Sequence, residues 1–191
     1  MKWNKTVSEL CFIADLHFGH TKITEFKLGT RPGTCVEEHD QLLVEAWNAE
    51  RCQRDVVWVL GDVAWNLESL RHVGRLHGRK RLVLGNHDNL PIDDYLAHFE
   101  SIHGIVAMRK RTVLSHVPIH IGSLDRWRFN IHGHVHDGSL PDARYINVSV
   151  EECPKFAPVT WDAIKQRMAT TCTRNRETDT HLGNVVASCA C

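Results

Sequence analysis

The chain carries no excess charge of either sign. Its 23 Lys and Arg balance 23 Asp and Glu across 191 residues, for a formal net charge of +0. A bulk field that would gather nucleic acid or an anionic membrane is therefore missing. Local basic runs at Arg71, Arg75, Arg79, Lys80 and Arg81, and at Arg109, Lys110 and Arg111, read as solvated faces. No apolar run approaches the ~18 residues of a membrane span, and no secretory hydrophobic region opens the chain. The seven cysteines are odd in number and include no Cys-x-x-Cys pair, which argues against a zinc ribbon or a disulfide framework. A reducing, cytoplasmic setting is the expectation. The length suits one domain, residues 1–169, followed by a polar tail, 170–191.

Histidine is the residue in excess. Fourteen are present, and their positions decide what the number means. Leu10–Asp15 reads as a strand that stops on an acid. Thr34 and Glu37 form a capping box opening a helix to about Arg51, with Val36, Leu42, Leu43, Ala46 and Trp47 on its apolar face. Val56–Leu60 is a second strand running into Gly61-Asp62, followed by a short helix, Leu67–Leu76, with Gly78 just past its end. Arg81–Leu84 runs into Gly85-Asn86-His87-Asp88, and Pro91 opens a helix through about His98. Strands over Ile102–Met108, Arg111–Leu114, Phe129–Ile131 and Arg144–Val150 follow, then a helix over Thr160–Met168. Strands alternating with helices predict an α/β fold with a covered central sheet. The chemistry-bearing residues follow the C-terminal ends of the strands, where open α/β sheets bind ligands.

Those residues are the types that bind divalent metals. Asp15 and His17 lie two apart, so an extended chain would aim both at one ion. Asp62 adds a carboxylate with two oxygens, and Asn86 a neutral oxygen. His87 can face a substrate as a general acid, with Asp88 hydrogen-bonded to its ring to orient it. Ser115-His116 and Gly133-His134-Val135-His136 supply three more imidazoles, the last two sharing one side of an extended segment. His39, His72, His77, His98, His103 and His181 read as solvated residues. His20, His120 and His132 stand beside motifs, either as participants or as packing neighbours. Imidazole and carboxylate suit Mn, Fe, Ni or Zn.

In this order the segments resemble the calcineurin-like metallophosphoesterase superfamily, over roughly residues 10–165. Asp15-Leu16-His17-Phe18-Gly19-His20, with Arg31-Pro32, is similar to its small bacterial and phage-type members. The resemblance implies a two-layer β-sandwich flanked by helices, two sheets where the strand pattern alone predicts one. It also implies two divalent transition-metal ions, Mn foremost. Asp15, His17, Asp62 and His136 would hold the first, and Asp62, Asn86, His116 and His134 the second, with Asp62 shared. His87, supported by Asp88, would be the catalytic residue. Arg31 and His20 are candidate substrate contacts, although a loop arginine is as often simply solvated.

The implied activity is hydrolysis of phosphate esters by a metal-activated water. Gly61-Asp62 continues as Val63-Ala64-Trp65-Asn66 and the third motif ends in Asp88, unlike the family's protein phosphatases. The chain is too short for a large capping insert, which favours a phosphodiester or a nucleotide substrate. A nuclease or nucleic-acid end-processing enzyme is the alternative, and a non-catalytic metal-binding scaffold a weaker one. Trp65 and Trp127 follow motif segments, where they can stack on a base or, more commonly for Trp, pack at a core edge.

Overall fold

The computed structural model describes residues 7–26 and 29–170. Eight strands in chain order form two sheets: β1 (Leu10–Ile13), β2 (Val56–Val59), β3 (Arg79–Val83) and β4 (Ser101–His103) in the first, and β5 (Val106–Met108), β6 (Thr112–Leu114), β7 (Phe129–His132) and β8 (Tyr145–Asn147) in the second. A short β9 (Val159–Thr160), not expected from the sequence, returns to the first sheet antiparallel to β1. The first sheet runs β4-β3-β2-β1-β9, with β1 to β4 parallel. In the second, β6, β7 and β8 are parallel and β5 is an antiparallel edge. Helices α1 (Ile23–Phe26), α2 (Val36–Glu50), α3 (Leu67–Leu70), α4 (Ile92–Leu96) and α5 (residues 161–170) complete the mixed α/β architecture.

Continuous apolar runs explain the first sheet. In β1 and β2, Cys11, Phe12, Ile13, Val57 and Val59 have no exposed surface, the pattern of parallel strands covered on both faces. Both sheets feed one core: Phe12, Val59 and Leu82 from the first join Leu114, Ile131 and Ile146 from the second, with Leu43, Trp47, Leu70, Tyr95 and Ile164 from the helices. Each such side chain, fully buried, contributes roughly 1.5–3 kcal/mol. The sheets meet at the C-terminal ends of their strands. There Ala14 N–H donates to Val148 O (2.8 Å) and Val150 N–H to Ala14 O (3.0 Å).

Register sets the height of the loops. Ile13 pairs with Val59, and Val59 with Leu82, so β1, β2 and β3 end almost level. Leu114, Ile131 and Ile146 are likewise level in the second sheet. The segments carrying Asp15, Asp62, Asn86, His116 and His134 therefore emerge together along the seam.

Some expectations are corrected. Ile102–Met108 is not one strand: the chain leaves the first sheet after His103, turns through exposed Gly104 and Ile105, and enters the second at Val106. The Thr34–Glu37 capping box does not form, because the helix starts at Val36 with Cys35 as its cap. Glu38 replaces Glu37, accepting from Thr34 N–H (2.8 Å) and Thr34 Oγ1 (2.7 Å). The tail expected over 170–191 lies outside the described residues beyond Thr170. Among the described residues no helix is long and apolar enough to cross a membrane.

Candidate metal centre

Five residues expected at the site, Asp15, His17, Asp62, His134 and His136, have φ between 50° and 72°. Non-glycine residues seldom adopt this left-handed backbone, and Asp and His are among those that tolerate it best. The extended geometry expected for Asp15/His17 and His134/His136 is thereby corrected: the loops coil, so that Asp15 and His17 still converge on one group while His134 and His136 part into two. Two glycines make the coiling possible. Gly61 sits at φ +86°, where an added Cβ would stand 2.5 Å from His116 Nδ1 and 2.7 Å from Gly85 Cα. One at Gly133 would press into the Ala14 side chain and lie 2.5 Å from Asp15 Oδ2. Gly61→Ala is expected to cost about 2–4 kcal/mol of stability through backbone strain plus overpacking. Urea denaturation reads this, and an unchanged midpoint would refute it.

The donors form two groups. Asp15, His17 and His136 are one, Asp62, His116 and His134 the other, with the ligand atoms of each group within 4.8 Å of one another. Asp62 Oδ2 joins them, 3.6 Å from His17 Nε2 and 3.3 Å from His116 Nε2. Asn86 Oδ1 adds to the second group, 2.9 Å from His116 Nε2.

Several features fit a bound cation pair. His116 Nδ1 faces Leu60 O (2.7 Å), and His136 Nδ1 faces Glu151 Oε1 (2.8 Å). Donating there leaves each Nε2 lone pair free to ligate. His17 Nε2 is buried without a hydrogen-bond partner, and burial together with Arg31 holds the ring neutral, its pKa down at about 3. Burial pushes the Asp62 carboxyl up, but His116 and the His87 N–H outweigh it and bring it down to about 2. Asp15 is raised by burial, although it accepts from Ser149 Oγ (2.7 Å) and His134 N–H (2.9 Å). Burial pulls His116 down, yet Asp62 and Asp15 raise it overall.

His87 lies at the solvent edge. Its backbone N–H donates to Asp62 Oδ1 (2.9 Å), and its ring centroid is 5.8 Å from that of His17. Asp88 does not orient that ring, a second correction. Its carboxylate instead accepts from the N–H groups of Asp62 (2.9 Å), Val63 (2.9 Å) and Gly85 (2.8 Å), pinning the two loops together. Tight loops leave three N–H groups without strand partners, and an adjacent carboxylate is the strongest available acceptor.

Arg31 is the third correction. It is buried rather than presented to a phosphate: Nε binds Glu151 Oε1 (2.9 Å), Nη2 the Asp15 carbonyl (2.6 Å) and Nη1 the Leu16 carbonyl (3.2 Å). Glu151, absent from the sequence reading, thus carries both Arg31 and His136. Its pKa falls to about 2, since His136 and Arg31 outweigh the upward push of burial. Nothing local marks Glu151, which follows a strand that lacks any motif. Arg31→Met is expected to strand the Glu151 charge and cost about 3–5 kcal/mol. A thermal unfolding midpoint equal to wild type would rule this out.

Other histidines also change place. His39, expected to be solvated, is fully buried and pairs with Asp40 Oδ1 (2.9 Å). His72, also expected at the surface, is half-buried against Phe18, with ring centroids 5.3 Å apart. His132 is buried in β7 with Nδ1 on Gly133 O (2.8 Å), and His120 caps a surface turn through Gly122 N–H (3.1 Å). His20 stays beside the site, its ring 5.7 Å from His17.

Fold and site together define a two-sheet α/β protein with a paired Asp/His donor centre at the seam. The chain belongs to the family of the Gene 66 protein of Mycobacterium phage L5, with 31% identity over 166 residues that take in 68% of this chain and 78% of the relative. The Gene 66 protein of Mycobacterium phage D29 is 39% identical over 87 residues, 43% of this chain and 41% of that one. Uncharacterized protein MJ1445 of Methanocaldococcus jannaschii is 29% identical over 170 residues, 83% of this chain and 90% of the relative. Among solved structures, the protein of unknown function AQ665 from Aquifex aeolicus superposes with a TM-score of 0.65 at 26% identity, covering 84% of this chain and 99% of that one. No family model matches the chain.

Proposed function

We propose that the protein is a dinuclear-metal-dependent phosphoesterase of the calcineurin-like metallophosphoesterase superfamily, acting on phosphodiesters or nucleotides. The two sheets on one core, flanked by helices, are on this reading that superfamily's two-layer sandwich. The observation that carries the proposal is the meeting of two donor groups at one carboxylate oxygen, Asp62 Oδ2, with His87 beside them. Asp15, His17 and His136 would hold one ion and Asn86, His116 and His134 the other, with Asp62 shared. Nitrogen and oxygen donors suit Mn, and equally Fe, Ni or Zn. Ions bound there would supply a nucleophilic water at neutral pH and neutralise phosphate oxygens.

The protein's own groups do the rest. His87 gives a proton to the leaving oxygen as general acid. Asp88 holds the Asp62 and Gly85 backbones in place, so His87 keeps its position over Asp62. Glu151 orients His136 through Nδ1.

Observations weigh against the nuclease alternative. Arg109, Lys110 and Arg111 precede β6, and Arg126 and Arg128 precede β7. Those are the starts of strands, whereas the donor centre lies at the ends. No basic groove of that origin leads to the site, as a long polyanion would require.

Hydrolysis of a generic phosphodiester and phosphomonoester with added Mn²⁺, beside metal-stripped protein, is the test. Diester turnover should depend on Mn²⁺ and fall to background on stripping. Absence of turnover from a folded protein carrying two ions would leave the non-catalytic scaffold; turnover that survives stripping would remove the metal from the chemistry.

A further inference from the structure

Four aromatic rings form a closed circuit beside the donor centre. The His17 ring centroid lies 5.8 Å from His87 and 5.7 Å from His20. Trp65 closes the circuit, 5.5 Å from His87 and 4.3 Å from His20. One corner, His17, is buried among the proposed ligands, while the opposite corner, Trp65, is 50% exposed. Exposed tryptophan is not unusual in itself. This one is held in place: Trp65 N–H donates to Phe18 O (2.8 Å), and Ala64 pairs with Phe18 as an isolated bridge. The Trp65 backbone is thus tied to the loop that carries His17 and His20, and the indole packs on the His20 ring.

We propose that Trp65, packed on His20 and next to His87, is a stacking shelf for the planar base of a nucleotide substrate whose phosphate lies at the donor centre. This rests on the phosphoesterase reading and narrows its substrate to nucleoside phosphate esters. An indole face that is half-open to solvent recognises a flat π-system without demanding a particular base. Its place matters as much as its chemistry, because the group passing the general acid His87 is the ester group of the substrate. The balanced charge of the chain, with Arg109, Lys110, Arg111, Arg126 and Arg128 at the opposite strand ends, selects a mononucleotide or a short diester over a long strand.

Calorimetric titration of the Mn²⁺-loaded protein with adenosine 5′-monophosphate and with ribose 5-phosphate isolates the base. The ratio of the two affinities is read within each protein, so a general loss of binding does not imitate the effect. Wild type should prefer the nucleotide by roughly ten- to a hundredfold. Trp65→Leu, which keeps apolar bulk without a π face, should lose most of that preference, and Trp65→Phe should keep much of it. Quenching of indole fluorescence by the nucleotide should be lost with Trp65 as well. Equal affinities in wild type, or a preference that survives Trp65→Leu, would overturn the shelf and leave the phosphoesterase reading standing. Binding of neither probe, with both ions in place, would overturn the shelf together with the phosphate site it depends on.

Discussion

Asp62→Asn is expected to lower the metal content from two ions per chain to one or none, and to reduce diester hydrolysis by about a thousandfold or more. The substitution keeps shape and an oxygen, so His87 N–H still has an acceptor in place of Asp62 Oδ1. What it removes is the oxygen that stands 3.6 Å from His17 Nε2 and 3.3 Å from His116 Nε2. An amide NH₂ there offers no lone pair to a cation shared by the two groups. Inductively coupled plasma mass spectrometry gives the metal content and initial rates give the loss. A variant with two ions and the wild-type rate would dissolve the shared-carboxylate reading.

The second large effect separates catalysis from metal binding. His87→Ala should keep both ions, because His87 contacts Asp62 through its backbone N–H rather than its ring. Hydrolysis should fall by about 10²–10⁴ where the leaving group is a poor one, such as an alkoxide or nucleoside hydroxyl. With a nitrophenolate leaving group the loss should be much smaller, since such an oxygen leaves without a proton. Equal losses for both esters would mean that His87 positions substrate instead of protonating it. Loss of metal in the variant would place its ring among the supports of the donor centre.

The two groups of donors were legible early because residue type survives any fold. Asp15, His17, Asp62, Asn86, His116, His134 and His136 were identifiable from short motifs at the ends of apolar runs. The neighbours that hold them were not. Arg31 stands in a loop 120 residues from Glu151, and a buried pair at that separation has no local signature. Asp88 follows His87 directly, which suggested contact with its ring. In the fold, three backbone N–H groups claim its carboxylate first. Burial of His39 reflects the same limit: its ring lies on the covered side of α2 because Asp40 and Arg31 meet it there.

By itself the sequence determined the class of architecture, the positions of most strands and the chemistry of the donor set. Apolar runs of strand length and the pairing of carboxylate with imidazole are properties of residue type and spacing. Tertiary structure alone decided that Ile102–Met108 divides between two sheets, that Arg31 turns inward and that Trp65 stays half-open beside His87. It also decided the backbone by which the donors reach their two groups. Left-handed backbone at Asp15, His17, Asp62, His134 and His136 aims each side chain. Such backbone is adopted only where packing and hydrogen bonds from distant segments compensate for its strain.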